Sequence, residues 1–305
     1  MKEIVVISGK GGTGKTSIVA SFAVLSQNAV IADCDVDAAD LHLVLNPAVQ
    51  ITESFSGGKI AEIIPGQCIN CDICKSVCRF DAISVKAIDG LMNYIVDPIS
   101  CEGCGVCVAV CPEEAVLFES HENGKLFVSE TDYGSMVHAR MGFAEENSGK
   151  LVSLVRARAK AIAEYNGQDL IIVDGPPGVG CPVISSITGA HAVLIVTEPT
   201  VSGVHDLERV VKLTDHFNIP TYICINKHDI NPAVTQEIEN RAKSLSVAVL
   251  GKIHYDPVIT EAQIHAVPVV TYCDNGVSKE IQALWYSLYG SIYSNRKELM
   301  GSEGT

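Results

Sequence analysis

Basic residues are scarce: 22 Lys and Arg stand against 36 Asp and Glu, a formal net charge of −14. A nucleic-acid backbone or an anionic membrane surface needs the opposite balance, so neither is an expected partner. Long apolar runs are missing as well. No stretch approaches the roughly 18 to 20 residues of a membrane-spanning helix. The apolar start, Met1 to Ile7, breaks into Gly9 too early for a secretory leader. The chain therefore reads as cytoplasmic, where thiols stay reduced. Only 19% of residues are charged and 47% are hydrophobic, which excludes wholesale disorder. Cysteine, too, is rare over most of the length. Of 12 cysteines, four are scattered and eight lie between Cys68 and Cys111. A disulfide framework would not concentrate them in this way, and metal ligation is the natural reading.

The apolar runs Ile4–Ile7, Ala29–Ala32, Leu170–Val173, Ala192–Val196 and Thr221–Ile225 are short, nearly continuous and rich in Val and Ile. That is the pattern of parallel strands buried on both faces. Helical stretches at 15–26, 149–165 and 204–216 separate them, so the expected architecture is an open α/β sheet, mostly parallel. Weaker strand candidates lie at 247–251 and 267–270. Between residues 62 and 119 the pattern changes to crowded cysteines and short strands at 82–85 and 115–119. The expected organisation is one α/β domain, 1–61 with 120–295, interrupted by a small domain at 62–119 and followed by a frayed tail at 296–305.

Gly9-Lys10-Gly11-Gly12-Thr13-Gly14-Lys15-Thr16 satisfies GxxxxGK[ST] between a strand and a helix that continues through Ser17. Such glycines let backbone N–H groups curl around phosphate oxygens. Lys15 would neutralise the β and γ phosphates, and the Thr16 hydroxyl can ligate Mg²⁺. Lys10, a second lysine early in the loop, makes the motif resemble the deviant Walker A of the MinD/ParA/Mrp superfamily. The resemblance implies a P-loop NTPase fold, with Lys10 reaching across a homodimer formed on ATP binding. Asp33-Cys34-Asp35 is similar to the family's first switch, whose second acid, Asp35, would position the attacking water. Leu170 to Gly178 resembles its Walker B and second switch. Asp174 would then serve the Mg²⁺ shell, and the Gly178 amide would sense the γ phosphate. Asn226-Lys227-His228-Asp229 gives NKxD at a strand end. That pattern reads guanine in GTPases, whereas the resemblance points the asparagine at adenine, so ATP is favoured with GTP left open.

The middle segment holds two similar runs. Cys68-Ile-Asn-Cys71-Asp-Ile-Cys74-Lys-Ser-Val-Cys78 is followed by Cys101-Glu-Gly-Cys104-Gly-Val-Cys107-Val-Ala-Val-Cys111-Pro112, a repeat with a period of 33 residues. CxxCxxCxxxC twice over resembles the bacterial two-cluster ferredoxin, in which the fourth cysteine of each run ligates the other cluster. Carried over, Cys68, Cys71, Cys74 and Cys111 would hold one 4Fe-4S cluster, and Cys101, Cys104, Cys107 and Cys78 the second. Zinc is the competing reading, although its motifs pair cysteines across a longer gap. Arg79 stands where the ferredoxin pattern has proline. Cys181, seven residues past Asp174, resembles one cluster ligand of the nitrogenase iron protein, but lacks a companion and reads as a buried structural thiol. Cys34, Cys224 and Cys273 read as core.

Together these features resemble MinD-superfamily ATPases with an inserted α+β bacterial-ferredoxin-like domain. The resemblance implies Mg²⁺-dependent ATP hydrolysis coupled to electron transfer or metallocluster assembly on a redox or cofactor-maturation partner. A spatial organiser of the MinD or ParA type is the alternative from another class. The stretch from Trp285 to Thr305, with Arg296 and Lys297 as its only basic residues, offers no basic amphipathic helix for it. A third reading is an iron–sulfur cluster carrier.

Overall fold

The computed structural model describes residues 1–88, 91–142, 148–274 and 276–293; the tail expected at 296–305 lies outside them. The chain divides into two compact units. One comprises Met1–Thr52, Leu126–Arg140 and Ser148–Thr305, and the other Glu53–Lys125 with Met141–Asn147. The second unit is wider than the cysteine-rich window, because the strand Gly58–Ile63, which carries no cysteine, belongs to it.

The first unit is built on a nine-stranded sheet. In spatial order its strands are Ala248–Ile253, Thr221–Asn226, Ala192–Thr197, Lys2–Ser8, Leu170–Pro177, Val30–Asp33, Gly134–Met141, Gly124–Thr131 and Ala48–Phe55. The first seven run parallel. Ile4, Val5, Val6 and Ile7 are all fully buried, as a strand with helices on both faces requires. Alternate residues serve opposite faces. Ile4 and Val6 join a core with Phe22 of the helix Lys15–Ser26 and with Trp285, whose rings lie 5.0 Å apart. Each such side chain contributes about 1.5–3 kcal/mol by leaving water. The result is a rigid carboxyl edge, where the strand order reverses around Lys2–Ser8 and where open α/β sheets bind ligands.

Two expectations are corrected. Residues 267–270 are not a strand: Val269–Tyr272 form a helical turn, with Thr271 and Tyr272 N–H groups donating to the Pro268 carbonyl. Pro268 has no N–H for a ladder, while its fixed φ suits a helix start. Cys181 is exposed rather than buried. It opens the helix Cys181–Ile187, whose inner face is taken by Val183, Ser186 and Ile187.

The second unit repeats itself. The strand Gly58–Ile63, helix Ile73–Val77 and strand Ile83–Ile88 recur 33 residues later as Leu91–Val96, Val106–Ala109 and Val116–His121. Pairing is crossed between the copies and antiparallel, Gly58–Ile63 with Val116–His121 and Ile83–Ile88 with Leu91–Val96. The backbone duplicates as closely as the sequence. Left-handed residues fall at Asn70, Asp72 and Asp81, and again at Gly103, Gly105 and Glu114. Ala61, Ile63, Ile83 and Val116 form the small core between the copies.

Candidate functional site

The strand Lys2–Ser8 delivers the chain into the loop 9–14 at the carboxyl edge. Gly14 has φ 86°, and a side chain there would run into the Asn226 amide. The following helix, Lys15–Ser26, has no side-chain cap and no acid in its first turn. Its free N–H groups and positive dipole end are therefore left for an anion. Gly11 through Ser17, with Asp35, Pro177 and Gln263, line a cavity of about 1290 Å³. A neighbouring cavity of about 650 Å³ shares Gly12, Gly14, Ser17 and Gln263 and is closed by Asn226, Lys227, Ile253, Tyr255, Asp256, Ile259 and Thr260. Because they share the phosphate loop, the two suit a phosphate chain with a planar base beside it.

Lys15 is almost fully buried and pairs with Asp174, while Asp35 lies 3.5 Å from its ammonium. Burial works against the charge, but Asp174, Asp35 and Asp33 outweigh it and hold the Lys15 pKa above its ordinary value. Asp33 and Asp174 are register partners on adjacent parallel strands, both buried. Burial and then the Asp174 charge push the Asp33 carboxyl far up. Asp35 is raised to about 6, chiefly by burial. Asp33 Oδ2, Asp174 Oδ2 and Thr13 Oγ1 are buried with no hydrogen-bond partner. Each such atom costs about 1–3 kcal/mol unless a ligand satisfies it. Thr16 on the cavity wall and the unpartnered oxygens of Asp174, which pairs with Lys15, and of Asp33 beside it are hard donors of the kind Mg²⁺ takes.

The NKxD residues separate. Asn226 Nδ2 donates to the Thr13 carbonyl at 2.7 Å and Lys227 Nζ to the Gly12 carbonyl at 3.2 Å, so both grip the loop. The Asp229 carboxylate instead accepts the Tyr255 N–H at 2.6 Å and lies outside the wall of either cavity. The Gly178 amide donates to the Ser8 carbonyl at 2.8 Å. Lys10 is drawn to Glu198, 2.6 Å away.

Residues 4–269 match the CobQ/CobB/MinD/ParA nucleotide binding domain. The chain belongs to this family. An uncharacterised protein of Methanocaldococcus jannaschii is 35% identical over 232 residues, 75% of this chain and 79% of that one. An iron-sulfur cluster carrier protein of Pyrococcus abyssi is 26% identical over 169 residues, 51% of this chain and 55% of its own length. The MinD of Pyrococcus horikoshii, solved as a complex with Mg-ADP, superposes with a TM-score of 0.55 at 20% identity, covering 95% of this chain and 98% of that one. The α/β unit is therefore a nucleotide-binding domain of the CobQ/CobB/MinD/ParA family, on a mostly parallel P-loop NTPase sheet. Among its described residues no helix is long and apolar enough to cross a membrane.

Eight cysteines of this family member gather in the other unit. Among the described residues no three His, Cys, Asp or Glu side chains converge closely enough to hold a metal ion. The eight cysteines instead ring two separate hollows. Cys68, Cys71, Cys74 and Cys111 line one of about 370 Å³, with Ile63, Tyr94 and Val116. Cys78, Cys101, Cys104 and Cys107 line the other, of about 380 Å³, with Val96, Ile83 and Phe118. Each hollow takes three cysteines from one copy of the repeat and one from the other. Its walls are apolar, and the donor set is four soft thiolates, which suits an iron–sulfur cluster.

Several of these residues carried no signal in the sequence. Glu198, Gln263, Tyr255 and Thr260 are single polar residues without motif, and Tyr94 and Phe118 read as ordinary strand aromatics. The period of 33 maps most of one wall onto the other, Ile63 onto Val96 and Ile83 onto Val116, but it does not relate Tyr94 to Phe118.

Proposed function

We propose that this chain is an ATP-hydrolysing protein carrying two 4Fe-4S clusters, in which nucleotide state governs electron transfer or metallocluster assembly on a protein partner. The observation that carries the reading is the partition of eight cysteines into two apolar hollows of four, on a chain whose other unit is a nucleotide-binding domain. When bound, the clusters supply one-electron chemistry. The chain's own part is to present four thiolates to each and to exclude water with Ile63, Val116, Ile83 and Val96. Anaerobic purification should yield about eight iron and eight sulfide per chain. Stoichiometric zinc without iron would overturn the reading.

In the nucleotide site, Lys15 and the loop amides hold the phosphates, and Asp174, Asp33 and Thr16 are the residues that would hold Mg²⁺. Asp35 is the water-positioning acid, and Lys10, a third exposed at the loop mouth, completes the site of a second copy in an ATP-bound homodimer. ATP is preferred over GTP because the aspartate that would read guanine is already engaged by the Tyr255 N–H. The raised Asp35 carboxyl gives a pH test. It gains a proton as pH falls through about 6 and then no longer accepts from the attacking water. The kcat/KM for ATP should fall along that limb, and Asp35→Asn should remove the limb together with most of the activity.

The cysteine unit interrupts the ATPase unit between the Asp35 segment and the Asp174 strand, and the chain passes between the two units four times. Coupling between sites is typically 1–3 kcal/mol, and 59 mV corresponds to about 1.4 kcal/mol for one electron. Mg-ATP should therefore shift the midpoint of at least one cluster by roughly 40 to 130 mV. EPR-monitored redox titration with and without ATP checks this. Identical midpoints would leave two independent modules. Likeness to the Pyrococcus abyssi carrier favours a second reading, cluster donation. It requires transfer of iron to an apo-acceptor faster than to a chelator in solution.

A further inference from the structure

Lys15 faces three acids inside the loop, while the two other lysines at its mouth share a single carboxylate. Glu198 follows the buried strand Ala192–Thr197 and is itself only 15% exposed. Its Oε1 accepts from Lys10 at 2.6 Å, and its Oε2 accepts from Lys227 at 3.1 Å. Lys10 also donates to Thr200 Oγ1 at 3.2 Å, the hydroxyl that caps the helix Val201–His216 through the Gly203 N–H. Lys227 also donates to the Gly12 carbonyl inside the phosphate loop. One carboxylate thus ties together the first lysine of the loop, a loop carbonyl and a helix cap.

We propose that Glu198 is a positioning residue that holds Lys10 against Thr200 and Lys227 in the nucleotide-free chain, and that Lys10 must leave it before it reaches a nucleotide phosphate, whether of its own chain or of a second copy. The chemistry of the two anions is alike. A carboxylate presents two oxygens to two ammonium groups as a phosphate does, with one negative charge where a triphosphate brings more. Burial alone would raise the Glu198 pKa, but the hydrogen bonds from Lys10 and Lys227 reverse this and keep the carboxylate ionised. The restraint thus stands at neutral pH. Glu198 does not belong to the substrate site; it acts through Lys10, and the inference needs only that phosphate binds at the loop.

Isothermal titration of ATP and ADP, each with Mg²⁺, into Glu198→Gln, Glu198→Ala, Lys10→Gln and the Glu198→Gln/Lys10→Gln pair tests this. Removing the carboxylate frees Lys10, so both Glu198 variants should bind ATP about threefold to tenfold more tightly than the native chain, as loss of a competing, partly exposed ion pair allows. The gain should be smaller for ADP, which carries less charge, and should vanish when Lys10 is also changed. A merely structural Glu198 would weaken both nucleotides equally and lower the melting temperature. Unchanged or weaker ATP affinity in both Glu198 variants, or a gain that survives loss of Lys10, would overturn the proposal.

Discussion

Lys15→Ala is expected to lower ATP affinity by at least about 10³-fold, which amounts to roughly 4 kcal/mol. Two charge-assisted hydrogen bonds to phosphate at about 1.5–3 kcal/mol each supply that figure. The surroundings add to it. Lys15 is the cation that faces Asp174, Asp35 and Asp33, and without it Asp35 on the cavity wall and the two buried acids behind it stand uncompensated beside a site meant for an anion. Their mutual repulsion would then oppose every phosphate oxygen that enters. Lys15→Arg should not rescue binding, because the ammonium sits almost wholly buried and a planar guanidinium needs more room. Titration calorimetry reads the loss directly. A Lys15→Ala chain that bound ATP as tightly as the native one would remove the phosphate-loop assignment.

The melting behaviour of that variant separates binding from folding. Deleting one partner of a buried ion pair commonly costs about 3–5 kcal/mol, because the other charge is left uncompensated. Here Asp33, whose pKa already stands far above the usual carboxylate range, can take up a proton instead. The nucleotide-free variant should therefore lose stability as pH rises, when that proton is given up, and recover it in mild acid. A pH-independent melting temperature would mean that the acids find other partners.

What could be read from the sequence follows from how local each feature is. The phosphate loop is eight consecutive residues whose backbone conformation needs glycine, so Gly9 to Thr16 announced strand, loop and helix at once. The buried strands were legible because Ile4 to Ile7 or Ala192 to Val196 leave no polar face. The helix Lys15–Ser26 has the bounds expected of it. Residues 267–270 misled because a run of valines looks like a strand while Pro268 removes the ladder N–H. Cys181 misled because a lone thiol near an apolar stretch suggests burial, whereas its place at a helix start turns it outward. Glu198 gave no warning at all. Its meaning depends on Lys10 and Lys227, brought together only by the order of the strands in the sheet.

The cysteine unit supports the sharpest second expectation: Cys111→Ala should abolish the cluster of the first run, and Cys78→Ala that of the second. Either variant should keep about four of the eight iron atoms. The geometry argues for this crossing. Cys78 follows the helix Ile73–Val77 with an extended backbone, and it borders the hollow of Cys101, Cys104 and Cys107. Cys111 stands 33 residues on and borders the hollow of Cys68, Cys71 and Cys74. Paired variants decide the matter. In the crossed arrangement Cys68→Ala with Cys111→Ala empties one hollow and spares about four iron, while Cys68→Ala with Cys78→Ala damages both. If each run held its own cluster, the two outcomes would be exchanged. Iron analysis with EPR of the reduced protein distinguishes them, since the retained cluster keeps its signal. Equal iron in the two paired variants would mean that neither arrangement of four cysteines describes the sites.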